Sequence, residues 1–176
     1  FLRQGGQAVR ETVVNVIETL VQDELFNKLS ILTGPCLDLE RTPVHELVER
    51  QATRTPNNIA IEDSQYQLEL NYRDCLAQSF LLARHLQTDE GVRPGDIVGV
   101  FLPHCADFIL ANLAIFFCGA AIFPLQVGYT TTTALQVFLQ DLKVACVVTN
   151  SENVERLPSD PACRVLVLDR PQSKDE

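Results

Sequence analysis

Six cysteines, three histidines and a scatter of acidic turns are the residues whose types could do chemistry. The cysteines are Cys36, Cys75, Cys105, Cys118, Cys146 and Cys163. No two share C-x-x-C spacing, and none stands at zinc-finger spacing from a histidine. Cys75, Cys118 and Cys146 lie in strongly apolar segments, where a thiol behaves as a small hydrophobe. An even count is compatible with disulfides, but chain size and apolar setting favour reduced, buried thiols. His45, His85 and His104 stand apart. His104 beside Cys105 has the composition of a protease dyad. Neighbours on regular structure point apart, however, and no third group is placed to orient them. An ordinary loop pair is expected. Acidic pairs such as Asp89-Glu90 fall in turns and read as solvated surface. Gly91, Gly95 and Gly99 recur every four residues, which fits neither G-x-G-x-x-G nor the phosphate loop G-x-x-x-x-G-K-[ST]. There is no G-x-S-x-G elbow. The residues alone nominate no catalytic, cofactor-binding or metal-binding side chain.

Composition narrows the class. The chain has 176 residues, 46% hydrophobic and 21% charged, which suits one folded domain and excludes disordered or collagen-like architecture. Lys and Arg number 14 against 23 Asp and Glu, a net charge of -9. That balance argues against nucleic acid and against an anionic membrane surface. The sequence has no Met and begins at Phe1, with no signal-peptide pattern at the start. A piece of a longer cytoplasmic protein is the expectation. Residues 108–125 (FILANLAIFFCGAAIFPL) approach the length of a membrane span. Gly119 and Pro124 break that run, and no Lys/Arg cluster flanks it to set an orientation. A buried helix ending at Gly119 and then a buried strand are expected.

The elements follow from periodicity. Residues 8–29 carry apolar positions at helical spacing (Val9, Val13, Val16, Ile17, Leu20, Val21 and Leu25). A connector with Gly34-Pro35 follows over 30–41. Thr42 and Pro43 read as N-cap and first residue of a helix that stops before Pro56. Residues 59–62 and 66–70 read as strands around an Asp63-Ser64-Gln65 turn. A helix over 72–88 should place Leu76, Phe80, Ala83 and Leu86 on one buried stripe. Pro94-Gly95 reads as the centre of a tight turn. Strands are expected at 97–102, 121–125, 144–149 and 164–169, with helices at 105–118 and 130–142. The tail PQSKDE is polar and reads as unstructured. Apolar strands alternating with helices imply βαβ units, an α/β fold with a mostly parallel sheet covered on both faces.

Several segments, in order, resemble the adenylate-forming (AMP-binding) superfamily, and within it the adenylation domains of nonribosomal peptide synthetases. Val44-His45-Glu46-Leu47-Val48-Glu49-Arg50-Gln51-Ala52, then Thr55-Pro56 and Ile59-Ala60-Ile61, are similar to the family's entry helix and first strand. Leu70-Asn71-Tyr72-Arg73-Asp74-Cys75 resembles its first core motif, L-[TS]-Y-x-E-L. Leu82-Ala83-Arg84-His85-Leu86 and Gly91–Val98 resemble the helix and turn that follow. Phe116–Gln126 (FFCGAAIFPLQ) resembles its second, L-K-A-G-x-A-Y-x-P-[LI]-D. The likeness covers about 42–169. It gives Tyr72, Gly119 and Pro124 framework duties. The chain departs from the pattern at Asn71, Cys75, Phe117 and Gln126, and Thr130–Thr133 stand where the family has a Pro and an Arg. These changes predict a weakened polar network in that loop. Residues 11–32, with Lys28-Leu29-Ser30-Ile31-Leu32, resemble the tail of a condensation domain. The implied organisation is a linker helix over 1–41 and a partial N-terminal subdomain over 42–176, truncated before the phosphate loop.

The resemblance implies an enzyme that activates an amino or other carboxylic acid as acyl-AMP and passes it to a carrier thiol. ATP and Mg2+ are implied for the parent, with phosphopantetheine on a carrier domain. The partners implied are the remaining adenylation domain and neighbouring condensation and carrier domains. The family's phosphate loop, ribose-binding Asp and C-terminal Lys have no counterpart in this sequence, so the chain alone should be inactive. Two other readings stay open here: a catalytically dead interaction or scaffold module, and an unrelated α/β cofactor-binding domain. Apolar surface normally covered by the rest of an enzyme should favour aggregation or partner dependence.

Overall fold

The computed structural model describes residues 41–169. Contacts divide the chain into two units, Phe1–Arg41 and Thr42–Glu176, and nearly all described residues belong to the second. The helix expected over 8–29, most of the connector after it, Cys36 and the PQSKDE tail lie outside the described residues.

Helix α1 spans Val44–Arg54. Pro43, not Thr42, is its N-cap. Its ψ of 145° is extended, so the helix starts one residue later than expected, with Leu47 N–H donating to the Pro43 carbonyl. The helix closes on Thr55, before Pro56, where residues avoid the helical region.

A two-stranded antiparallel hairpin follows, β1 (Ile59–Asp63) and β2 (Leu68–Asn71). Tyr66 and Gln67, expected at the start of the second strand, lie in the turn instead. Asp63 Oδ1 accepts from the Gln65 and Tyr66 amides at 3.1 and 3.3 Å, which winds the chain two residues further before it re-enters the sheet.

Helix α2 runs Tyr72–Thr88, as the periodicity predicts. Asn71 caps it. Its Oδ1 accepts from Asp74 N–H at 2.8 Å, and its Nδ2 donates to Asp74 Oδ2 at 2.9 Å. The departure from Thr/Ser therefore keeps the cap. The buried stripe is rotated from the expected one. Cys75, Ser79, Ala83 and Leu86 are buried, Leu76 is half-buried and Phe80 is 42% exposed. Apart from Leu86 the buried positions are small, and Phe80 lies at the rim.

Arg93-Pro94-Gly95-Asp96 forms the expected turn, with Asp96 N–H donating to Arg93 O at 3.0 Å and Gly95 at φ +89°. Strand β3 is Ile97–Phe101, and α3 is Ala106–Phe117. Gly119, at φ +69°, ends the helical run, and an added Cβ there would lie 3.3 Å from Pro94 Cβ. Next come β4 (Ala121–Pro124), α4 (Thr132–Asp141), β5 (Cys146–Thr149), a one-turn α5 (Ser151–Val154) and β6 (Arg164–Val167). The short α5 stands where only a loop was expected. No helix among the described residues is long and apolar enough to cross a membrane.

Strands β3 to β6 form one parallel sheet in the order β4-β3-β5-β6. Side-chain alternation sorts its two faces. Val98, Val100, Cys146 and Val148 pack against α2 and α3 through Leu86, Ala111 and Ile115. Phe101 and Val147 pack against α4 through Leu135 and Leu139. The expected doubly covered α/β sheet is thus present. A third cluster seats the hairpin on α2 and α3, through Ile61, Leu70, Cys75 and Leu110.

Candidate functional site

In an open parallel sheet the crevice lies beyond the carboxyl ends of the strands, where successive crossovers diverge. Here that point is between β3 and β5, because the chain goes from β3 to β4 on one side and returns to β5 on the other. The loop after β3 leads into α3, whose N-terminal amides would be the natural seat for a phosphate.

That seat is taken. Asp63, 8% exposed, sends Oδ2 to Ala106 N–H at 2.8 Å across 43 residues of sequence. Its other oxygen holds the hairpin turn. Cys105 is the N-cap of α3. Burial pushes its thiol above the ordinary range, against the opposing pull of the Phe108 and Asp107 amides. Burial also raises Tyr66, helped by the negative field of Glu152, Cys105, Asp63 and Asp107. This end of the sheet is therefore acidic and already paired, a poor place for an anion. Sequence reasoning placed Asp63 in a turn and missed its second duty.

The rest of the carboxyl edge is equally self-contained. Thr149 Oγ1 donates to Phe101 O at 3.0 Å, tying β5 to β3. Asp169 accepts from the Ser151 hydroxyl at 2.6 Å and its amide at 3.2 Å. An open cleft of about 440 Å³ beside it is lined by Gln78, Leu82, Asp107, Leu110, Leu168 and Asp169, without a cation. His104 sets its ring edge-on to Phe108, with centroids 5.5 Å apart, an ordinary packing contact. Among the described residues no group of three His, Cys, Asp or Glu is gathered that could hold a metal.

The thiols behave as core. Cys75, Cys118 and Cys146 are buried, and Cys105 and Cys163 are half-buried; all five are unbridged. Burial pushes Cys146 up to about 12 and Cys118 up to about 11. Cys118 Sγ also lies 3.4 Å from the Ala83 carbonyl, in donating geometry.

The motif residues hold the framework. Tyr72 N–H donates to Asn58 O at 3.0 Å, at the junction of hairpin and α2. Pro124 ends β4, opposite Val100. Phe117, standing where the family has Lys, stacks on Phe80 at 4.2 Å and meets the His45 ring edge-on at 5.3 Å. An aromatic cluster joining three helices replaces the cation. The loop before α4 carries hydrogen bonds of its own. Thr130 donates to Gln126 O at 3.0 Å, Thr131 caps Ala134 N–H at 3.3 Å, and Thr132 donates to Arg156 O at 3.1 Å. Asp89-Glu90 is likewise more than solvated surface. Asp89 lies 2.5 Å from His85 Nδ1, and its carbonyl accepts from Arg164 at 2.9 Å.

Comparison with known proteins completes this picture. The chain is 32% identical over 146 residues to enterobactin synthase component F of Escherichia coli O157:H7, covering 83% of this chain and 11% of that protein. It is 27% identical over 169 residues to a dimodular nonribosomal peptide synthase of Bacillus subtilis (strain 168), covering 96% of this chain and 7% of that protein. The chain thus spans a small part of the curated relatives it matches. Among solved structures, a nonribosomal peptide synthetase with alpha-methyl-L-serine-AMP bound superposes with TM-score 0.66 at 25% identity, over 77% of this chain and 15% of that one. The N-terminal subdomain of Klebsiella oxytoca NpsA, in complex with anthranilyl-AMSN, superposes with TM-score 0.60 at 23% identity, over 70% of this chain and 30% of that one. The fold described above is that of part of such a subdomain. The family model for the AMP-binding enzyme matches residues 48–176, and the chain belongs to that family.

Proposed function

We propose that this chain is the entry framework of an adenylation domain, and that its parent activates an amino or other carboxylic acid. In that reaction the carboxylate attacks the α-phosphorus of ATP, the bond to pyrophosphate breaks, and an acyl-AMP forms. The acyl group then passes to the phosphopantetheine thiol of a carrier domain. The stabilising charge must come from cationic groups and Mg2+ aimed at the transferring phosphate. The described residues offer neither a free helix N-terminus at the crevice nor a cation in the cleft. Their part is to set the sheet, the hairpin and the loop before α4 against the rest of the domain. The observation that carries this reading is the closure of the α3 N-terminus by Asp63, in a chain that matches the AMP-binding enzyme family. It also weighs against the unrelated cofactor-binding domain, which would need that seat open. The partners we assign to the parent are the remaining adenylation domain and neighbouring condensation and carrier domains. Its compartment is the cytoplasm.

ATP–pyrophosphate exchange tests the proposal. The purified 176-residue chain should give no exchange above the blank with a panel of amino and aryl acids. A polypeptide extended through the remaining adenylation domain should give acid-dependent exchange. Turnover by the short chain, or none by the extended one with any acid, overturns the reading.

A further inference from the structure

We draw no further inference here: the strongest candidate, the apolar surface that Tyr129, the outer side of α4 (Val137 and Phe138) and its C-cap Leu142 present beside the edge strand β4, is an unpartnered apolar face, and nothing in the structure shows what covers it.

Discussion

At the carboxyl end of the parallel sheet a buried carboxylate closes a helix N-terminus. At the amino end an exposed guanidinium closes a helix C-terminus. Asp63 reaches Ala106 N–H from the hairpin, and Arg164 reaches the Asp89 carbonyl from β6, 75 residues away. Each charge has the sign the helix dipole favours. Their surroundings differ. Asp63 is nearly sealed and accepts three amides, whereas Arg164 is exposed and donates a single bond to a carbonyl. Water can replace what Arg164 supplies. It cannot easily replace what Asp63 supplies. The comparison predicts that burial, rather than charge, ranks the consequences of cutting each tie.

The largest effect belongs to the amino end, beneath the exposed groups. Cys146 starts β5 opposite Arg164, and burial lifts its thiol to about 12, with Glu90 adding to the rise. A raised folded pKa means that stability is fully present below the ordinary thiol value of 9.0 and is lost as pH climbs toward the folded one. Between about pH 9 and 12 the native state holds a proton that the unfolded chain has released. The loss could reach on the order of 4 kcal/mol, an upper bound that local opening reduces. Denaturant melts across that window should show a fall in the unsubstituted chain that Cys146→Ala makes shallower, with the buried Cys118 thiol keeping part of it. Equal slopes in the two proteins would remove the buried thiol from the account.

The next effect is at the carboxyl end. Asp63→Ala strands the Ala106 amide in a buried setting and releases the hairpin turn. The expected cost is about 1–3 kcal/mol, seen as a Tm several degrees lower by circular dichroism. Asp63→Asn keeps an acceptor oxygen and should recover part of the loss. Thr131→Ala, at the exposed start of α4, should cost about 1 kcal/mol by loss of its cap to Ala134 N–H. A Thr131 effect larger than that of Asp63 would mean that burial is not what separates these ties.

These ties also mark where sequence stops being informative. The Pro94-Gly95 turn, the Gly119 stop and the alternation of strands with helices rest on local geometry, so they are legible residue by residue. The Asp63 cap depends on a hairpin folding back over a helix 43 residues later, and no local pattern announces it. The α2 stripe fails for a related reason. Phe80 has helical spacing for the core, but the buried positions of α2 are Cys75, Ser79, Ala83 and Leu86, and Phe80 stacks on Phe117 at the rim. Aromatic size marks hydrophobicity; it does not say which neighbour a helix meets. The loop before α4 teaches the same lesson. Gln126 and Thr130–Thr133 look like losses against the family pattern, while Thr130, Thr131 and Thr132 each make a hydrogen bond that the pattern does not announce. For the site, the motifs conveyed the family through framework positions. The residues beside the crevice conveyed nothing, because their work is to occupy each other.

The smallest effect should come from Arg164→Ala. The variant removes one bond to a carbonyl that solvent can reach, so a loss of about 0.5 kcal/mol is expected. His85 stays beside Asp89 without it, and Gly91, whose added Cβ would sit 3.2 Å from the guanidinium, simply gains room. Asp63 and Arg164 share no partner, so the double variant should lose the sum of the two single losses within about 0.5 kcal/mol. Denaturant melts of the parent, both single variants and the double variant decide the matter. An Arg164 loss equal to that of Asp63 would show that the dipole-matched charge itself carries the energy. A strongly non-additive double variant would show that the two ends of the sheet are one cooperative tie.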